Sequence, residues 1–165
     1  METMTLLMTL KRLFILVLCS MLTLSAFAQD CIDYHRKQCP RLEPNPYEEV
    51  PEGSKSELLL RGEVMTLSFF IYQGRDYRLT LCSEMYGGEV VLKLYDFEDQ
   101  TLLLYDNTLN DMNQEFEFQV MRTRKVKADV FVPKEENKSQ NFGMLTQKIP
   151  RGCVGFLLET MVTRK

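Results

Sequence analysis

The sequence predicts an all-β, antiparallel fold of about eight strands, a sandwich or barrel, behind an export signal and a proline-rich lead-in. Three observations carry this. After Ser56 apolar residues recur at every second position in one stretch after another, the period of strands with one face on a core and one on water. Short turn signals separate these stretches at regular spacing, as in sandwiches and barrels. No stretch after Ser54 shows the helical period, so no amphipathic helix is expected there.

Residues 1–28 read as a signal peptide. Lys11 and Arg12 give a positive start, an apolar run extends from Leu13 to Leu24, and Ala26-Phe27-Ala28 is the small-x-small pattern that precedes cleavage. The mature chain is expected to begin at Gln29, and Met8 is an alternative to Met1 as the start of translation. A membrane anchor is the rival reading, but the run is shorter than the roughly 20 residues a span needs. A lipoprotein reading of Cys19 fails because Leu18 precedes it where a small residue is needed.

Residues 29–54 form the lead-in. Pro40, Pro44, Pro46 and Pro51 exclude helix interior and central strand between Pro40 and Gly53. An extended, solvated segment is expected there.

Residues 55–165 form the β domain. Its strands are expected at 56–60, 65–71, 77–82, 90–94, 101–106, 116–120, 126–132 and 154–158. Met65, Leu67, Phe69 and Ile71 alternate with Thr66, Ser68 and Phe70, and Val126, Ala128, Val130 and Val132 with Lys125, Lys127 and Asp129. Gln73-Gly74-Arg75-Asp76 suits a two-residue hairpin turn. The insert from Lys134 to Pro150 begins polar and is expected to be mobile.

A net charge of −3 and a pI near 5.3 give no electrostatic footprint for nucleic acid. The lone histidine, His35, excludes zinc sites that need two.

Gly74 with Tyr77-Arg78-Leu79-Thr80-Leu81, then Val91-Leu92-Lys93-Leu94-Tyr95-Asp96, Leu104-Tyr105-Asp106-Asn107 and Phe116-Glu117-Phe118, resembles the jelly-roll domains of the bacterial pre-peptidase C-terminal type. Gly152-Cys153-Val154-Gly155 is similar to a signature near the end of standalone secreted β-sandwich proteins of Gram-negative bacteria. The resemblance covers about Leu58 to Met161. It implies a jelly-roll-like sandwich, a secreted or periplasmic location, and binding or stabilisation rather than hydrolysis.

Cleavage would remove Cys19 and leave Cys31, Cys39, Cys82 and Cys153, an even number that suggests disulfides in an oxidising compartment. Cys82 is out of phase with Leu79 and Leu81, and Cys153 with Val154 and Phe156, so both sulfurs are expected on the outer face. The expected bridges are Cys82–Cys153, closing a loop worth about 4 kcal/mol in the chain-entropy model, and Cys31–Cys39. Cys31-x3-His35-x3-Cys39 also has metal-like spacing, but it offers three ligands where structural zinc takes four.

Asp96, Glu98, Asp99, Asp106 and Asp111 fall around two turns and are the candidate calcium ligands, with solvated turns as the plainer reading. No other cofactor is suggested. The same acids are the only basis for a glycosidase reading. Arg122, Arg124, Lys125 and Lys127 form the basic cluster, with Glu115 and Glu117 expected to pair with it across a hairpin. Phe70, Tyr72, Tyr95 and Tyr105 are candidates for an aromatic platform for sugar or protein.

No catalytic residue is assigned. The leading expectation is a non-catalytic exported module that binds an unidentified protein or glycan or supports an envelope assembly. A carboxylate-dependent secreted hydrolase and an inhibitor or immunity-type protein with one protein partner are the alternatives. No nucleic-acid partner and no transmembrane segment in the mature chain are expected.

Overall fold

Alternation in the sequence becomes alternation of burial in space. Along Val64–Ile71 exposed and buried residues follow one another without a break, with Met65, Leu67, Phe69 and Ile71 inward. The computed structural model describes residues 31–41, 45–84, 89–134 and 151–163, all within the unit Cys31–Lys165. The expectations for residues 1–28 and for nearly all of the 134–150 insert lie outside the described residues.

A short helix, α1 (Tyr34–Gln38), comes first. The strands are β1 (Glu48–Glu49), β2 (Lys55–Leu60), β3 (Val64–Ile71), β4 (Arg75–Ser83), β5 (Val91–Asp96), β6 (Leu103–Asp106), β7 (Glu115–Gln119), β8 (Arg124–Phe131) and β9 (Arg151–Val162). They form two antiparallel sheets. The first runs β1-β9-β4-β7, with β2 also on β9, and the second runs β3-β8-β5-β6. Without the two-residue β1, the orders β2-β9-β4-β7 and β3-β8-β5-β6 are those of an eight-stranded jelly roll.

The expected strands are all present, but several are joined differently from expectation. Gly74 does adopt the left-handed conformation, at φ +79°. The turn it makes is not a hairpin, because β3 and β4 lie in different sheets. β7 and β8 are likewise in different sheets, so Glu115 and Glu117 face Thr80 and Arg78 of β4 rather than the basic strand. Period two sets which face a residue takes; it does not choose the neighbouring strand.

The core lies between the sheets. Tyr77, Leu79, Phe156 and Leu158 meet Met65, Phe69, Leu92 and Val130 there. Each such side chain contributes about 1.5–3 kcal/mol on burial. Two polar side chains caught inside find partners: Tyr77 Oη accepts the Tyr72 N–H at 3.0 Å. Asn107, fully buried, accepts from Leu92 N at 2.8 Å and donates to the Val90 carbonyl at 3.0 Å.

β9 is buried on both faces from Gly152 to Thr160. Its inner face meets the second sheet, and its outer face is covered by the lead-in. The lead-in is therefore packed, not solvated throughout: His35, Cys39 and Gly53 are buried, and Val50 N–H donates to the Leu158 carbonyl at 2.8 Å.

The disulfides correct the expected pairing. The bridges are Cys31–Cys153 and Cys39–Cys82, not Cys82–Cys153 and Cys31–Cys39. Cys82 and Cys153 do lie on the outer face of adjacent strands, as their phase requires. In register, however, Gly155 is the residue opposite Cys82, which places Cys153 diagonally, two residues along. α1 lies over that diagonal, and the cysteines on either side of it, Cys31 and Cys39, each take one sulfur.

Candidate functional site

The seam beneath the lead-in is built around a buried ion pair. Arg78 and Glu159 face each other across β4 and β9 and are 2% and 0% exposed. The guanidinium donates to Glu159 through Nε at 3.0 Å and Nη2 at 2.7 Å. Asn45 joins both, donating to Glu159 at 2.9 Å and accepting from Arg78 at 2.7 Å. The Tyr47 ring lies 4.7 Å from the Arg78 guanidinium carbon. A buried pair is tolerated only when its remaining donors and acceptors find partners, and the lead-in supplies them.

Glu49 organises the outer half of the seam. It accepts from Arg36 at 2.7 Å and Arg41 at 3.1 Å. Burial alone would raise its carboxyl, but these hydrogen bonds outweigh that and hold it below the ordinary range. His35 Nε2 stands 3.6 Å from Glu49. Ser56 Oγ accepts the His35 backbone N–H at 2.7 Å and lies 2.6 Å from His35 Nδ1. Its own proton is therefore free to go to Nδ1, which leaves the ring proton on Nε2 toward Glu49. Burial keeps the imidazole below its ordinary pKa, against the raising effect of Glu49. Serine, histidine and glutamate meet here, but the serine spends its oxygen on the α1 backbone, so the contact works as a tether. Cys31 and Cys39 carry no thiolate for a metal, since both are in disulfides.

The five candidate calcium ligands are not brought together. Asp96, Glu98 and Asp99 sit at the β5–β6 turn, whereas Asp106 ends β6 and Asp111 lies beyond it. Asp96 accepts from the backbone N–H groups of Glu98 and Asp99 at 2.9 and 3.2 Å and faces Arg124 at 3.5 Å. Asp99 accepts from Thr101 N and Oγ1. Asp106 accepts from Thr108 N and Oγ1 and pairs with Lys93 at 3.2 Å. Burial would raise Asp106, but the Thr108 and Lys93 bonds hold it low. These carboxylates close turns.

The outer face of the second sheet has no covering segment among the described residues. Phe70 and Tyr72 are each half exposed and stack at 6.3 Å. Lys125 Nζ lies 3.7 Å from the Phe97 ring centre and 6.0 Å from that of Phe70, and Lys127 lies 5.8 Å from Tyr95. Three of the expected platform residues, Phe70, Tyr72 and Tyr95, thus share this face. Tyr105 does not: it stacks on Phe116 at 3.8 Å on the core side. The platform residues missed in the sequence were Phe97, which follows β5 in the same phase as Tyr95, and the lysines that hold the rings.

At the β7–β8 turn, Thr123 Oγ1 accepts from Gln73 N at 3.0 Å, tying it to the β3–β4 turn. Phe97 N–H donates to the Lys125 carbonyl at 3.1 Å, tying in the β5–β6 turn. Met121 at the tip is 79% exposed. A cleft of about 290 Å³ opens beneath it, between β6 and β7. A second, polar cleft of about 300 Å³ is lined by Asp96, Glu98, Leu102, Arg122, Thr123, Arg124 and Lys125.

No protein-family model matches the chain, and no curated protein matches it. Among solved structures the chain is similar to PliG of Aeromonas hydrophila, a periplasmic lysozyme inhibitor of g-type lysozyme. Identity is 6%, the similarity covers 76% of this chain and 90% of that one, and the TM-score is 0.45, a likeness too slight to place the chain in a family.

Proposed function

We propose that this protein is an exported, non-catalytic binding module of inhibitor type, which engages one protein partner through the outer face of its second sheet. The difference between the two outer faces carries this reading. The first sheet is covered by the chain's own lead-in, pinned by two disulfides. The second keeps Phe70 and Tyr72 half exposed, with Phe97, Lys125 and Lys127 locked beside them.

Aromatic residues set in a polar rim are the usual composition of a protein-recognition patch. Rings already held by cation–π contacts lose little freedom when a partner arrives, which favours affinity. The charges on this face are of both signs: Lys127 pairs with Asp129 at 3.0 Å. Such a mixture suits a protein surface better than a uniformly anionic glycan. Two disulfides fit an oxidising compartment.

The test is a photo-crosslinking residue at Tyr72 and, as control, at exposed Glu52 on the lead-in. The reading expects one protein captured from Tyr72 and not from Glu52, then saturable 1:1 binding of that purified protein, weakened by Phe70→Ala. Capture at both positions alike, or a polysaccharide binding this face instead, would overturn it.

A further inference from the structure

The sandwich closes poorly along its β6/β7 side. β6 has four residues and β7 five, and the β5–β6 register shifts between Leu94 and Tyr95. Phe116 and Phe118 therefore project to the core side yet stay only half buried. A stack of rings runs inward from the edge, Tyr105 to Phe116 at 3.8 Å, Phe116 to Phe118 at 5.2 Å and Phe118 to Tyr77 at 5.7 Å. The cleft of about 290 Å³ lies against this stack.

Its walls are apolar. Ile71, Leu94 and Val126 come from the second sheet, Phe116 and Phe118 from the first, and Leu104 stands at the edge. The charged residues lining it are Arg122 and Arg124. Arg122 is exposed and makes no ion pair among the described residues. Arg124 pairs with Asp96 at 3.5 Å, and both arginines also line the neighbouring polar cleft with Asp96 and Glu98, but a guanidinium keeps further donors. An apolar slot with two guanidiniums at its rim is complementary to a molecule with an apolar body and an anionic head.

We propose that this cleft binds a small anionic amphiphile, a single short acyl chain bearing a carboxylate. The chain lies between Leu104 and Phe118, and the carboxylate meets Arg122, with Arg124 beside it. Burying Leu104, which is 38% exposed, and the open flanks of Phe116 and Phe118 drives entry. The guanidiniums select the sign of the head group. This site is separate from the proposed protein-binding face, and its test uses the protein alone.

Sodium decanoate is titrated into the oxidised protein while the methyl resonances of Ile71, Leu94, Leu104 and Val126 are followed, with decyltrimethylammonium as the cationic control. The expected result is saturable 1:1 binding of decanoate at those methyls and binding of the cation at least about tenfold weaker. Arg122→Glu, at an exposed position, is expected to weaken decanoate by at least about tenfold with the melting temperature unchanged. Leu104→Trp, which fills the slot, abolishes binding. Equal affinity for the two head groups, an Arg122→Glu variant that binds as well as the parent, or shifts that miss these methyls would each overturn the proposal.

Discussion

Gly155 stands opposite Cys82 across the β4–β9 ladder, and the side chain it lacks is the space that α1 occupies. A Cβ there would lie 2.7 Å from Cys82 Sγ and 2.9 Å from His35 Cα. The second contact is with backbone, which a rotamer change does not relieve. Gly155→Ala is therefore expected to destabilise the protein by about 1–3 kcal/mol. Chemical denaturation measures it, and a variant as stable as the parent would show that α1 sits elsewhere.

Bridge connectivity is open to direct measurement. Non-reducing digestion should yield linked peptides for Cys31–Cys153 and Cys39–Cys82, whose sequence separations are 122 and 43. Loops of this size correspond to about 4–5 kcal/mol each in the chain-entropy model. Replacing either pair with alanines should lower stability by about 2–5 kcal/mol. A Cys82–Cys153 peptide would remove α1 from the sheet face.

The buried ion pair makes an asymmetric prediction. Arg78→Met leaves buried Glu159 with only Asn45 and the more distant Arg41, at 3.8 Å, and should cost about 3 kcal/mol. The double variant Arg78→Met/Glu159→Leu removes both charges and is expected to recover most of that loss. A double-mutant cycle by urea unfolding decides. Additive losses would mean that the two residues do not depend on each other.

Acid should weaken the fold in two stages. The His35 pKa is lower in the folded protein than its ordinary 6.5, chiefly through burial. The unfolded chain thus takes up that proton first, so stability is undiminished above about pH 6.5 and falls as the pH drops below it. Glu49 and Asp106 are held low by their hydrogen bonds, against burial. Their contributions are present above their ordinary values of 4.5 and 3.8 and are lost as the pH falls through the lower folded values. Urea midpoints near pH 8, about 6 and about 4 should fall in that order. His35→Gln should flatten the first step alone, and a midpoint that rises between neutral pH and about 5 would contradict the sign.

Strand positions were legible because period two is local: Met65, Leu67, Phe69 and Ile71 announce β3 without reference to anything else. β1 was not, since Glu48–Glu49 is too short to show a period and lies among prolines. Which strands are neighbours was also hidden, because Gly74 turns the chain whether the next strand stays in the sheet or leaves it. The cysteine faces were readable from phase, whereas their partners depended on a two-residue offset and on a segment crossing from the lead-in. Arg78 and Glu159 do leave a signal in the sequence. Each interrupts a strongly apolar strand with an opposite charge in the outward phase, and such charges survive only where a register pairs them.

The central place of β9 also sets the order in which this protein can be finished. A chain leaves the ribosome N-terminus first, so Cys31 and Cys39 appear long before Cys153. Until then Cys31 has no native partner, and the edge of β4 that β9 will fill stays bare. The nearest available thiol for Cys31 is Cys39, so early oxidation favours the short-range bridge, and thiol–disulfide exchange must later undo it. The fold is thus closed from its last strand backward. Premature oxidation, rather than slow strand pairing, is the hazard that its topology creates.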